Sequence, residues 1–180
     1  MMNNEILETV LKYNALGLAT FPIKPRTKIG FYRYEEFRGE PNNKWPEGSP
    51  FSWKAQASND PERSRRYWTD HPDANIGIAT GMISGGLIVL DFDEDEEQGK
   101  HGLEVLKDWE EKYGSFPETA RVITGRGGIH LLFHYDKPIK GTEAIYPGVD
   151  VRAEGNYILA PPSIHPNGRS YQWEAGYEPF

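Results

Sequence analysis

Cysteine is absent from the 180 residues. That excludes a disulfide framework, a thiolate zinc site and a cysteine nucleophile, and it suits a reducing compartment, so a cytoplasmic setting is expected. No apolar stretch approaches the roughly 18 residues needed to span a bilayer, and the N-terminus lacks a basic-then-apolar leader pattern. No membrane partner is expected. Internal repeats and low-complexity tracts are missing as well. Basic residues are in deficit, 20 against 27 acids for a net charge of −7, which at first sight argues against a nucleic-acid partner. Six of those acids, however, lie within Asp91–Glu97, and outside that stretch 21 acids face 20 bases. The acidity is local. Divalent ions bound there would weaken the objection to a polyphosphate or nucleic-acid substrate.

Aromatic residues are plentiful, with five Trp, ten Tyr and eight Phe, and they supply the buried area of a folded protein. At this length the chain can form one substantial core or two small lobes sharing a cleft, and a single unit over 1–180 is expected.

The stretch that organises the rest is Leu87-Ile88-Val89-Leu90-Asp91-Phe92-Asp93, four apolar residues running into two carboxylates. It reads as a buried strand with an acidic end. Alternation turns Asp91 and Asp93 to one face and Phe92 to the other. Two carboxylates in one small volume raise each other's pKa unless a cation sits between them, and Mg²⁺ or Mn²⁺ suits such a pair. The bland alternative is a strand end that starts a solvated loop.

In chain order, Ile6, Leu7, Val10, Leu11 and Ala15 predict an amphipathic helix capped by Asn3 or Asn4 and stopped at Gly17. Leu18–Ile23 reads as a short strand that Pro22 places at an edge. Residues 24–59 lack periodicity and read as an irregular functional excursion, with Lys28 and Trp45 as its fixed points. Asp60 and Pro61 start a basic helix whose Arg63 and Arg66 either meet phosphates or form a solvated face. A strand over 75–80 leads into the acidic strand. Leu103, Leu106, Trp109 and Tyr113 then predict a helix from Gly102 to Tyr113 that covers one sheet face. Arg121–Thr124 and Ile129–His134 form two strands of a glycine-rich hairpin, with His130 and His134 opposite Ile129, Leu131 and Phe133. Strands over 148–152 and 157–160 follow, then Pro161-Pro162, and a turn at 166–168 leads into Tyr171–Trp173.

Asp91, Asp93 and Asp150 as metal ligands, with Gly125–Gly128, Arg126, His130 and Arg152 as a phosphate cradle, would suit phosphoryl or nucleotidyl chemistry. Taken singly each has a structural explanation: a flexible hairpin, a satisfied core histidine, an Asp150–Arg152 pair across one strand face. Thr124, His134, Ser163 and His165 are weaker signals. Their joint occurrence near one sheet is what points to a site.

The ordered set Ala74–Ile78, Leu90–Asp93, Thr124–His130, Gly148–Arg152 and Ala160–Ser163, over roughly residues 10 to 175, resembles the bifunctional primase–polymerase domain. This is a branch of the archaeo-eukaryotic primase superfamily encoded by plasmids, phages and other mobile elements. The resemblance implies a two-lobed α+β fold, with an N-terminal αβ unit (roughly 1–85) against an RNA-recognition-like mixed or antiparallel sheet (roughly 86–180) and the active site in the cleft. It implies metal ligation by Asp91, Asp93 and Asp150 in a two-metal site without zinc. It further implies phosphate contacts from His130, with Thr124, Gly125, Arg126, Gly127, Gly128, Arg152, Ser163 and Lys28 around the nucleotide. Expected partners are a DNA template and primer, dNTPs or NTPs, and a helicase or C-terminal helical segment in the same or another chain. The chain would then be the N-terminal part of a replication protein or a stand-alone core. Two alternatives remain: a phosphatase of the haloacid dehalogenase type with Asp91 as nucleophile, and an inactive nucleotide- or nucleic-acid-binding module.

Overall fold

The amphipathic pattern at the N-terminus forms α1 (Asn3–Ala15), and the chain turns out of it at Gly17, where φ is +80°. The computed structural model describes residues 3–31 and 53–179. Strand β1 (Thr20–Ile23) is the outer strand of its sheet, which is where Pro22, lacking an N–H, is tolerated. The excursion that follows ends in a single helical turn, α2 (Trp53–Gln56). Trp45 lies outside the described residues. Helix α3 (Pro61–Asp70) begins as its sequence predicts, the Asp60 carboxylate accepting a hydrogen bond from Glu62 N–H.

Next come β2 (Asn75–Ala79), β3 (Leu87–Phe92), a small hairpin of β4 (Glu94–Asp95) and β5 (Lys100–His101), and helix α4 (Gly102–Tyr113). The remainder is β6 (Arg121–Ile123), β7 (Ile129–His134), β8 (Thr142–Tyr146), β9 (Val149–Arg152), β10 (Tyr157–Ala160) and β11 (Gln172–Trp173). The architecture is α+β, with few helices and antiparallel sheets. One sheet has the order β1-β2-β10 and the other β11-β6-β7-β3-β9-β8. Strand β10 thus joins the small sheet although it follows five strands of the large one.

Strand β3 alternates between two cores. Leu87 and Val89 pack with Ile76, Ile78 and Ile158 of the small sheet and with Val10, Tyr67 and Trp68 of α1 and α3. Leu90 and Phe92 turn the other way, onto Leu106 and Trp109 of α4. Asp91 therefore continues the stripe that faces the small sheet, at the point where the apolar filling ends.

One expectation needs correction. Leu103 and Tyr113 do not cover the sheet, being 37% and 74% exposed. The covered stripe is Val105, Leu106 and Trp109. Gly102 sets this rotation: it packs so closely that a Cβ would lie 2.6 Å from Asp93 N, and Leu103 N–H is drawn to the Glu94 carboxylate at 2.8 Å. The turn at 166–168 does fold the chain back, bringing Tyr171 N–H to Ser163 C=O, and Gln172 and Trp173 go on to pair with β6.

Candidate active site

Register builds the centre. Asp91 on β3 stands opposite Asp150 on β9 and opposite His130 on β7, and residues directly opposed in antiparallel strands share a face. Asp93 follows one residue past the end of β3, its N–H bonded to Gly148 C=O at 2.8 Å. One oxygen from each of Asp91, Asp93 and Asp150 lies within 4.8 Å of the others. Asp91 is buried and the other two are half-buried.

Arg152 ties two of these carboxylates together. Its Nε is 3.3 Å from Asp91 Oδ2, its Nη2 is 2.5 Å from Asp150 Oδ2, and its Nη1 is 3.5 Å from Glu143. Ala144 N–H donates to Asp150 Oδ1 at 2.6 Å, and Lys100 Nζ is 3.1 Å from Asp93 Oδ2. His130 Nε2 approaches Asp91 Oδ1 to 3.3 Å without hydrogen-bond geometry, so that buried oxygen accepts no hydrogen bond among the described residues. Burial alone would raise the Asp91 carboxyl, but its interactions with the His130 ring and then with the Arg152 guanidinium outweigh that and hold the group below the ordinary carboxylate range. Asp91 is thus an anion with an oxygen to spare, which is costly to leave buried. A divalent cation fits here: the donors are all carboxylate oxygens, the preference of hard ions such as Mg²⁺ or Mn²⁺.

A cavity of about 330 Å³ opens between the sheets beside this cluster, bounded by Lys28, Trp53, Asp91, His130, Arg152 and Tyr157 among others. A narrow slot shares Lys28, Asp91, His130 and Tyr171 with this cavity and is lined also by Asp93, Thr124, Arg126 and His165. Of the residues singled out in the sequence, the structure therefore brings together Asp91, Asp93, Asp150, His130, Arg152, Thr124, Arg126 and Lys28. Arg126 is ion-paired with Asp95. The glycines have mainly packing reasons: a Cβ at Gly125 would lie 2.2 Å from His165 Cβ, and one at Gly128 2.2 Å from Phe92 O. Thr124 and Gly127 N–H groups are used within the turn, and Gly127 lies away from the slot, on a shallow depression with Ile123 and Arg169. Ser163 lies apart, its buried hydroxyl bonded to the N–H and C=O of Ile76 at 2.8 and 3.3 Å. Arg63 is turned to Tyr67 Oη and Ala55 C=O.

Trp53, Glu143, Tyr157 and Tyr171 also line these spaces and were not among the candidates. Trp53 stacks on Phe21 at 5.4 Å and meets Tyr157 edge-on at 5.0 Å. Its only advance signal was a concentration of aromatics in a stretch without periodicity.

Together these features define an α+β protein with an oxygen-donor cluster, suited to a divalent cation, at the cleft between two antiparallel sheets. The family model for the N-terminal domain of bifunctional DNA primase/polymerases matches residues 10–180, and the chain belongs to that family. No curated protein matches the chain. The family's chemistry is nucleotidyl transfer of the DNA primase/polymerase type, with DNA and nucleotides as substrates.

Proposed function

We propose that this chain is a template-directed nucleotidyltransferase. A primer 3′-hydroxyl, or that of a first nucleotide, attacks the α-phosphate of a nucleoside triphosphate. The new P–O bond forms as the α–β bond breaks, pyrophosphate leaves, and the hydroxyl proton passes to solvent. Besides family membership, one observation carries this reading: Asp91, Asp93 and Asp150 converge within 4.8 Å, and a buried Asp91 oxygen among them accepts no hydrogen bond.

Divalent ions held by these carboxylates, two in the reading proposed here, would supply Lewis-acid stabilisation of the charge developing on the phosphate oxygens. The chain's own residues do the rest. Arg152 holds Asp91 and Asp150 in register, and Lys100 restrains Asp93. Lys28, Thr124, Arg126 and His130 face the slot as donors for phosphate oxygens. The apolar and aromatic wall of the larger cavity, with Trp53, Tyr157 and Ile158, suits the nucleoside end of a nucleotide. We read the two sheets as the lobes of a primase–polymerase fold, and extension of an existing primer as the principal activity. The match over nearly the whole chain favours this reading over an aspartyl phosphatase.

The test is extension of a labelled primer on a DNA template with dNTPs or NTPs under Mg²⁺ or Mn²⁺. Wild type should extend in a metal-dependent way. Asp91→Ala with Asp93→Ala should lose more than the roughly 10–100-fold that follows removal of a group merely supporting a metal ligand. Pyrophosphate release that survives the double substitution would refute the site assignment. Triphosphate binding without any extension would favour the inactive binding module.

A further inference from the structure

His165 lines the slot from the loop after β10, and one side of its ring is held by a hydrogen bond. It is 4% exposed. Nδ1 accepts a hydrogen bond from Asn167 N–H at 3.2 Å, which in the neutral ring assigns the proton to Nε2. Nε2 has no protein partner among the described residues and is not sealed off, so it is left to the slot that the ring lines.

The mounting is rigid. His165 N–H bonds to Arg169 C=O at 2.8 Å, and Asn167 Nδ2 bonds to Gly125 C=O at 2.9 Å. The absence of a side chain at Gly125 lets the glycine turn close onto His165 Cβ. The two loops therefore form one wall, with Thr124, Arg126 and His165 on it and Lys28 nearby. Asp91 and Asp93 line the same slot. Cation-seeking oxygens and hydrogen-bond donors in one slot are complementary to a divalent cation with a bound polyphosphate.

We infer that His165 is a substrate-contacting residue, donating from Nε2 to an oxygen of the substrate's polyphosphate beside Lys28 and Arg126. This deepens the nucleotidyl-transfer reading by adding a neutral donor to the cationic ones. A neutral imidazole approaches the anion without the desolvation cost of another charge. The competing role is buttressing of the glycine turn alone, which would use the ring's shape and not its N–H.

The experiment is calorimetric titration of the whole chain with inorganic tripolyphosphate in the presence of Mg²⁺, without nucleic acid, on wild type, His165→Gln, His165→Asn and His165→Phe. Melting curves report folding. Gln places an amide N–H near the Nε2 position, Asn keeps only the Nδ1 side, and Phe keeps only the shape. Loss of a hydrogen bond to a charged group predicts affinity about tenfold weaker or more in Asn and Phe, with Gln largely retained. In primer extension the same variants should raise KM for the nucleotide more than they lower kcat. Equal affinity in Phe and wild type, or equal loss in Gln and Phe, would overturn the inference, as would wild type that does not bind tripolyphosphate. Wild type that binds tripolyphosphate in this pattern yet extends no primer would sink the polymerase reading and leave this one standing.

Discussion

At the scale of single residues, Arg152 is the guanidinium that offsets part of the negative charge of the carboxylate cluster. It contacts Asp91 and Asp150 at once, and with the Ala144 N–H it engages both oxygens of Asp150. Arg152→Gln should leave those carboxylates facing each other uncompensated. Breaking such a pair predicts a loss of about 3 kcal/mol in chelator-treated protein. Millimolar Mn²⁺ should then raise the melting temperature of the variant more than that of wild type. An unchanged metal-free melting temperature would show that the guanidinium balances nothing there. Tyr13 offers a test remote from the site. Its hydroxyl donates to Pro161 C=O at 2.7 Å, and burial pushes its phenol above the ordinary tyrosine range. Tyr171 is shifted the same way, by burial first and then by the charges of Asp91 and Asp93. The folded state keeps these protons while unfolded tyrosines release them near pH ~10. Their contribution to stability is therefore full below about pH 10 and is lost as pH rises above it. Near-ultraviolet titration should show at least two of the ten tyrosines ionising only as the protein unfolds.

At the scale of elements, the β6–β7 turn is where a small change should do most damage. A Cβ on Gly128 would sit 2.2 Å from Phe92 O and 3.2 Å from Glu94 N, and backbone cannot swing aside as a side chain can. Gly128→Ala should separate the start of β7 from the end of β3, moving His130 relative to Asp91. A stability loss of about 1–3 kcal/mol is expected, with a fall in primer extension larger than the change in the folded fraction at assay temperature explains. Elements such as α1, α3, β3 and β7 were legible because each writes its period into the sequence. A buried face repeats every two residues in a strand or every three to four in a helix, and caps or glycines mark the ends. The convergence of Asp91, His130 and Asp150 on one strand face was legible only in part. Alternation gave the facing of each side chain, but the register that sets them opposite one another belongs to the pairing of strands far apart in the chain. Strand β8 left no trace because all five of its residues are exposed and no alternation betrays it. His165 and Tyr171 were hard to rank for a related reason: their position comes from two loops closing on each other, and neither loop has a period.

For the whole molecule, the shared core is the decisive feature. Leu87, Val89, Val122 and Leu132 of the large sheet pack in one cluster with Phe21, Ile78 and Ala160 of the small sheet and with α1 and α3. Neither sheet can shed the other without exposing that surface, so calorimetry should show a single unfolding transition. Two separated transitions would mean that the cleft is bounded by independently folding parts. The outermost strand of the large sheet adds a last consequence, one for how such a protein varies over generations. Strand β8 departs from regular register with β9 between Thr142 and Tyr146, and Ala144 adopts φ +50°. What it offers Asp150 is a main-chain N–H, a group every residue but proline possesses. Side-chain identity at the exposed Thr142 and Ile145 is therefore free to drift, while Glu143 reaches Arg152 and Tyr146 meets Trp109 edge-on. An inserted or deleted residue anywhere in the strand would carry the amide out of reach, so tolerance to substitution at Thr142 and Ile145 should coincide with intolerance to length change.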